Sequence, residues 1–200
     1  MSALPEQPER PGLRERKKAK TRAAIRQHAL RLFREQGYDA TTVEQIADAA
    51  DVSPSTFFRY FPTKEDVVLQ DDMELRWSAA LQAQPPELSP VAALRAAMLE
   101  VFAGLPEQEM TLLRQSMELA LTVPAVRARS LDEFGRTIQF ITAALAERTG
   151  RAPDDFRVQA LAGAIMGVAM AAWYTDPGGL DDFAVRFEQG LAFLESGFGL

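Results

Sequence analysis

Residues 40–68 read ATTVEQIADAADVSPSTFFRYFPTKEDVV, and the punctuation of this stretch decides the fold. Thr42, with Gln45 three residues on, makes a capping-box pattern. The helix it opens would bury Val43, Ile46, Ala47 and Ala50. Ser53-Pro54 repeats the signal, a capping hydroxyl followed by proline at the first helical position. This second helix is brief, ending at Tyr60 because Pro62 stops it. Two short helices joined by a tight turn at Asp51-Val52 have helix-turn-helix spacing, which lays the second helix in a DNA major groove. Its first turn offers Ser53, Ser55 and Thr56, small polar residues that let backbone approach DNA and can donate to phosphate or base edges. Arg59 and Tyr60 follow, and Lys64 opens the next helix, where charge and helix dipole both favour a phosphate.

The flanking sequence is helical in both directions. From Glu15 to Gly37, Ile25, Ala29, Leu32 and Phe33 recur at helical spacing and Gly37 supplies the stop. Thr63 caps a fourth helix that runs past Trp77 to about Gln82. Five more follow: Ser89-Pro90 to about Ala103, Pro106 to Pro124, Pro124 to Gly150, Pro153-Asp154-Asp155 to the Asp176-Pro177-Gly178-Gly179 turn, and Asp181-Asp182 to Ser196. No period-two strand pattern, internal repeat or low-complexity tract interrupts them. The expected fold is all-α with about nine helices.

Composition narrows the function classes. The chain has 200 residues, 47% hydrophobic and 25% charged, enough for one domain or for a small domain joined to a larger one, and unlike a disordered chain. It has no cysteine, which excludes a disulfide framework, a thiolate zinc site and a cysteine nucleophile. The opening MSALPEQPERPG lacks the apolar core of about 7 to 15 residues that a signal peptide needs. The longest uncharged apolar run, Ala160 to Tyr174, falls short of the ~20 residues of a membrane-spanning helix. A cytoplasmic protein without a membrane partner is expected. The net charge of −6 hides an asymmetry: residues 1–65 carry 12 Lys/Arg against 9 Asp/Glu, and residues 66–200 carry 10 against 19. Ten of those basic residues fall between Arg10 and Arg34, where Glu15 is the sole acid. Either this run is a solvated terminal tail, or a basic DNA-binding module precedes an acidic body.

Residues 40–68, with TRAAIRQHALRLFREQGYDA at 21–40 before them, strongly resemble the DNA-binding domain of TetR-type transcriptional regulators. The resemblance covers roughly residues 15–68. It implies a tail at 1–14, a helix-turn-helix domain at 15–68, and a ligand-binding and dimerisation domain at 69–200. Carried over by position, the DNA-facing residues are Thr42, Ser53, Pro54, Ser55, Thr56, Phe58, Arg59, Tyr60 and Lys64, while Phe57 and Phe61 match core positions. Ser55 stands where the family commonly has Gly, and Phe58 where it commonly has Tyr. Phe58 loses a hydroxyl that could bind phosphate and either meets a thymine methyl or serves as an extra core residue. Arg59 can pair with guanine or contact phosphate. Arg14, Lys17, Lys18 and Arg22 would add nonspecific attraction to the backbone.

The resemblance also implies a body that binds a small molecule and forms a homodimer. The helix from Phe156 to Tyr174 is apolar almost all round, and the last helix shows a row at Phe183, Phe187, Leu191 and Leu194. With Ala162, Ile165 and Ala169 these residues are the expected dimer face, in a four-helix interface that sets two reading helices about 34 Å apart; the bland alternative is a monomer core. Pocket candidates are Trp77, Met98, Phe102, Met110, Met117, Leu121, Phe140, Met166, Met170 and Trp173, since Met and aromatic side chains make adaptable apolar walls. Any of these can equally be plain core. Arg114, and with it Arg136, would meet an anionic group of a ligand or else lie on the surface. The C-terminal part is loosely similar to the family branch associated with acyl-thioester-like ligands.

Nothing in the chain suggests catalysis or a cofactor. His28 is the single histidine, Asp71, Asp72 and Glu74 are adjacent on a helix where neighbours one apart do not share a face, and Asp154-Asp155 and Asp181-Asp182 suit helix starts. No phosphate loop or nucleophile motif occurs, so no metal site and no enzyme is expected. The reading is a ligand-responsive regulator of double-stranded operator DNA, a repressor released by an apolar effector that moves the fourth helix. Two alternatives are a constitutive or architectural DNA-binding dimer and a helical small-molecule carrier that has lost DNA binding.

Overall fold

The computed structural model describes residues 12–69, 73–174 and 180–197, and every regular element among them is a helix. The helix expected from Thr63 to Gln82 is described over Lys64–Leu69 (α4) and Met73–Ala83 (α5), and residues 70–72 between these spans lie outside the described residues, so ten helical spans are described in all. Asp71, Asp72, the 176–179 turn and residues 1–11 of the expected tail lie outside the described residues. The chain divides into two compact units, 1–67 and 68–200.

The first unit contains α1 (Leu13–Gln36), α2 (Val43–Ala49), α3 (Pro54–Tyr60) and the start of α4. Arg14, assigned to the tail, is already helical in α1. Ile25, Ala29, Leu30 and Phe33 form the buried stripe of α1, joined by Tyr38, Ile46, Ala47, Phe57, Phe61 and Val67. Leu30 takes the buried place expected of Leu32, which sits half-buried at the stripe's other margin; Val43 and Ala50 are also half-buried. The stripe is wide enough that a single row of spacings does not capture it.

The second unit holds α5, α6 (Pro90–Gly104), α7 (Glu107–Thr122), α8 (Pro124–Thr149), α9 (Phe156–Tyr174) and α10 (Leu180–Glu195). Local chemistry sets the ends. Ser89 Oγ accepts from Ala92 N at 3.0 Å to cap α6. Gly150 ends α8 in the left-handed conformation at φ 64°, with Arg151 N donating back to Ala146 O at 3.1 Å. Asp155 accepts from Arg157 N at 2.9 Å just before α9, and this bond, then Arg151, holds its carboxyl below the usual range.

Two apolar clusters bind these helices together. In one, Leu145 and Ala146 of α8, Val158, Ala162, Ile165 and Val168 of α9, Leu191 of α10 and Val91 of α6 meet. In the other, Ala80 and Leu81 of α5 pack on Ala93, Ala97 and Val101 of α6, flanked by Trp77. Polar ties reinforce the arrangement. Arg95 of α6 pairs with Glu188 and Glu195 of α10, and Ser89 Oγ donates to Glu195 at 2.6 Å. The Arg148 guanidinium donates to the carbonyls of Leu81, in the last turn of α5, and of Gln84, Pro85 and Leu88 in the connection to α6, tying α8 to this connection.

Helices α9 and α10 approach closely at Gly190. A Cβ built on Gly190 would lie 2.4 Å from Val168 Cγ1, so only hydrogen fits there. Gly190→Ala is expected to destabilise the protein by about 1–3 kcal/mol in urea unfolding, overpacking outweighing alanine's better helix propensity. Gly135→Ala on α8, where a Cβ meets nothing within 4 Å, is the control and should be neutral or stabilising by up to about 1 kcal/mol.

Candidate nucleic-acid interface

The turn between α2 and α3 is built from short-range hydrogen bonds. Thr42 Oγ1 accepts from Gln45 N at 3.2 Å and Thr42 N donates to Gln45 Oε1 at 2.9 Å, completing the expected capping box. Gln36 Nε2, from the end of α1, donates to that same Gln45 oxygen at 2.9 Å and to Thr41 Oγ1 at 3.1 Å. After α2 the chain reverses at Asp51, whose φ of 54° is the left-handed region that Asp enters more readily than most residues. Val52 N donates to Ala47 O at 3.0 Å and closes the reversal.

Helix α3 starts at Ser53, whose Oγ accepts from Thr56 N at 3.1 Å, donates to Thr56 Oγ1 at 2.9 Å and lies 2.9 Å from Ser55 Oγ. Phe57 and Phe61 are fully buried, their ring centroids 6.0 Å apart. They anchor one side of α3 and thereby expose the other. Pro54, Ser55, Phe58 and Arg59 share that outward face, since positions one turn apart align, while Thr56 and Tyr60 are half-buried at its margins. Phe58 meets Phe57 edge-on at 5.4 Å and is 50% exposed, so its reading as a core residue does not hold. The Arg59 guanidinium stands 5.5 Å from the Tyr60 ring centroid.

Lys64 is held more firmly than its sequence position suggests. Its ammonium donates to Tyr38 O at 2.8 Å and Thr41 O at 3.0 Å and stands 4.0 Å from the Tyr38 ring centroid, which leaves one N–H for an outside acceptor. The Tyr38 hydroxyl donates to Glu65 Oε1 at 2.7 Å. Burial, with the acceptor and charge of Glu65, pushes the Tyr38 hydroxyl far above its ordinary value, so it remains a donor. Partial burial opposes ionisation of Glu65, but the Tyr38 bond, backbone and Thr63 bonds and the Lys64 charge together keep its carboxyl below the usual range. Thr63 and the fully buried Asp66 exchange bonds of 3.0 and 3.2 Å at the start of α4. The sequence reading missed Tyr38, Glu65 and Gln36. An aromatic residue directly after the Gly37 stop was the one available signal.

Elsewhere the structure redistributes the expected sites. Ala162, Ile165 and Leu191, assigned to the dimer face, are fully buried within the chain's own core, and Phe187 and Leu194 pack against that core. Phe183 stacks on Phe187 at 5.5 Å and meets Trp173 edge-on at 5.5 Å, so residues assigned to an interface and to a pocket form one aromatic group between α9 and α10. Ala169 is half-buried. Among pocket candidates, Trp77 and Phe102 come together edge-on at 5.7 Å, and Met98, Met117 and Met166 are buried on three different helices. Met110, Leu121 and Phe140 are half-buried, whereas Met170 is exposed on α9. Arg114 is exposed and paired with Asp181 at 3.1 Å and Glu107 at 3.4 Å, and Arg136 pairs with Glu133, so both are surface arginines. Arg22, expected to face phosphates, stands 4.7 Å from the Phe61 ring centroid.

Comparison with known proteins settles the lineage. Residues 25–70 match the family model for bacterial regulatory proteins of the tetR family, and residues 88–199 match the MftR C-terminal domain of TetR-type regulators. TcmR of Streptomyces glaucescens, an HTH-type transcriptional regulator, is 36% identical over 94% of this chain and 88% of its own length. The chain belongs to the TetR family of transcriptional regulators. MftR of Mycobacterium tuberculosis is 28% identical over 92% of the chain and 93% of its own length. FadR of Thermus thermophilus, a TetR-family repressor solved with lauroyl-CoA, is 28% identical, covers 90% of this chain and 95% of its own, and superposes with a TM-score of 0.53.

In this TetR-family domain the Tyr38–Glu65 bond ties the α1–α2 connection to α4. Folding favours ionised Glu65, so its contribution is complete above the ordinary carboxylate range and is lost as pH falls through the lowered folded value. Tyr38→Phe is expected to cost about 1 kcal/mol at neutral pH, with the difference from wild type shrinking in acid; urea titrations from neutral pH downward read both.

Proposed function

We infer that this chain is a ligand-responsive transcriptional repressor that binds operator DNA as a homodimer in the cytoplasm and is released by an apolar effector. The observation that carries the DNA reading is the outward face of α3, with Phe58 and Arg59 exposed while Phe57 and Phe61 are buried beneath them. Pro54, Ser55, Phe58 and Arg59 enter the major groove, Thr42 and the free N–H of Lys64 meet phosphates, and Ser53 and Thr56 shape the first turn of α3.

The dimer reading rests on the outer faces of α9 and α10. Phe156, Ala160, Gly163, Gly167, Met170 and Tyr174 recur every three or four residues on α9, and all are exposed. Val185 and Phe193 are exposed on α10. A Cβ at Gly163 or Gly167 would meet nothing within 4 Å in the single chain, so a second backbone has room to approach there. By length and composition α9 could cross a membrane, yet its other face lies in the core cluster, which suits a buried dimer helix. Gly163→Glu is expected to leave the protomer folded and convert the dimer to monomer in sedimentation velocity; a retained dimer contradicts this face.

An acyl thioester is the effector class to try first, because FadR was solved with lauroyl-CoA. The effector acts on residues 68–200 and reaches the reading helix through α4, the helix by which the chain passes between the two units. Fluorescence anisotropy with DNA from upstream of the protein's own gene, against a scrambled duplex, tests the reading. Preference for the native duplex, lost on adding lauroyl-CoA, is the expected result. Equal binding to both duplexes, unaffected by any acyl-CoA, favours the architectural dimer. A thermal shift with lauroyl-CoA, worth about 2.7 kcal/mol at 100 times its dissociation constant, separates ligand binding from DNA release.

A further inference from the structure

The first two turns of α1 are built as though something outside the chain completed them. From Leu13 to Lys20 every side chain is exposed, Leu13 to 70%, and the buried stripe of α1 begins only at Ile25. Five cations, Arg14, Arg16, Lys17, Lys18 and Lys20, stand in these eight residues against one acid, Glu15. None of the five forms an ion pair with a described residue, and the Gly12 N-cap makes no side-chain cap. Arg14 faces Lys17 and Lys18 at helical neighbour spacing, and Arg16 faces Lys20, so like charges repel along the helix. Arg14 and Arg16 also sit in the first turn, at the positive end of the helix dipole, where cations are disfavoured. Both unfavourable effects are relieved by a polyanion laid along the helix.

The location of the overhang identifies that polyanion. The Arg22 guanidinium stands 4.7 Å from the Phe61 ring centroid, so the third turn of α1 rests against the residue that caps the C-terminal end of α3. From Arg22 back to Leu13 the helix runs roughly 13 Å further, a span comparable to about four phosphates along one DNA strand. The match to the tetR family model begins at residue 25, so these turns lie outside the stretch it covers.

We propose that Arg14, Arg16, Lys17, Lys18 and Lys20 form a second DNA contact, a helical extension of α1 that grips the phosphate backbone beside the half-site entered by α3 and reads no bases. The proposal rests on α3 binding DNA, and it replaces the picture of a basic tail with a helical element. Phosphate contacts release counterions, so each contact steepens the salt dependence of affinity by about 0.9 in the log–log slope without changing sequence preference.

The test is fluorescence anisotropy of the full chain against salt. The probes are a duplex from upstream of its gene and an arbitrary duplex of roughly three helical turns. The variant R14Q/R16Q/K17Q/K18Q/K20Q touches no buried residue and should melt with wild type. Its slope should be shallower by about 3 or more per protomer on both duplexes, with the ratio of affinities for the two unchanged. The variant K17R/K18R/K20R should keep the wild-type slope. An unchanged slope in the glutamine variant overturns the extension while leaving α3 as the reading helix. A lost preference for the native duplex also overturns it, because the residues would then be reading bases. Wild type that binds neither duplex at low salt overturns this proposal and the DNA reading together. Tighter retention on vesicles of anionic phospholipid than on the arbitrary duplex assigns the basic turns to a membrane surface and overturns it as well.

Discussion

A helix of seven residues does not hold itself together in water, and α3 is that short. What holds it is the burial of Phe57 and Phe61, aided by a capping serine and a proline at the first position. Two rings on one side of so short a helix leave no freedom of rotation about its axis. Phe58 and Arg59 are therefore displayed because their neighbours are hidden. The bonds around them act on this same constraint. Gln36 and the Gln45–Thr42 box join α1 to α2, Lys64 and the Tyr38–Glu65 bond join the α1–α2 connection to α4, and the backbone leading into and out of α3 is fixed from both ends. Lys64 thus does structural work as well as presenting a charge, and most of its hydrogen-bonding capacity is already engaged.

The second unit solves a different problem, holding long apolar helices together while leaving an apolar surface. Helix α9 does both. Val158, Ala162, Ile165 and Val168 face the core, and Gly190 lets α10 approach Val168 closely. On its other side Ala160, Gly163 and Gly167 leave a smooth exposed stretch between the larger Phe156 and Met170. The small residues of the inner face suit close packing on the core, and under the proposed dimer those of the outer face meet a second demand, the approach of a partner helix.

These demands explain which features were legible in the sequence. Helix ends, the helix-turn-helix and the burial of Phe57 and Phe61 depend on neighbours a few residues away, so Thr42-Gln45, Ser53-Pro54, Pro124 and Gly150 announce them directly. The azimuth of α9 was not legible. A helix apolar on every side offers no contrast from which to choose the buried face, and Ala162 and Ile165 were as plausible outside as in. Long-range polar ties escaped for another reason. Nothing near Tyr38 or Arg148 in the chain indicates that one reaches Glu65 and the other the carbonyls at and just after the end of α5. Arg114 drew notice as a cation on an apolar helix, but its Asp181 partner lies across the fold.

The central claim is that α3 reads sequence with the face its buried rings expose. The most direct test is a base-pair-by-base-pair substitution scan of an operator half-site, with affinities measured for wild type, Arg59→Ala and Phe58→Ala. Wild type is expected to lose about 1–3 kcal/mol at the pairs it reads. Each variant should lose discrimination at its own pair, a guanine for Arg59 and a thymine for Phe58, and keep it elsewhere. If both variants retain the full wild-type pattern of preferences, sequence is read by another part of the chain and the account is wrong.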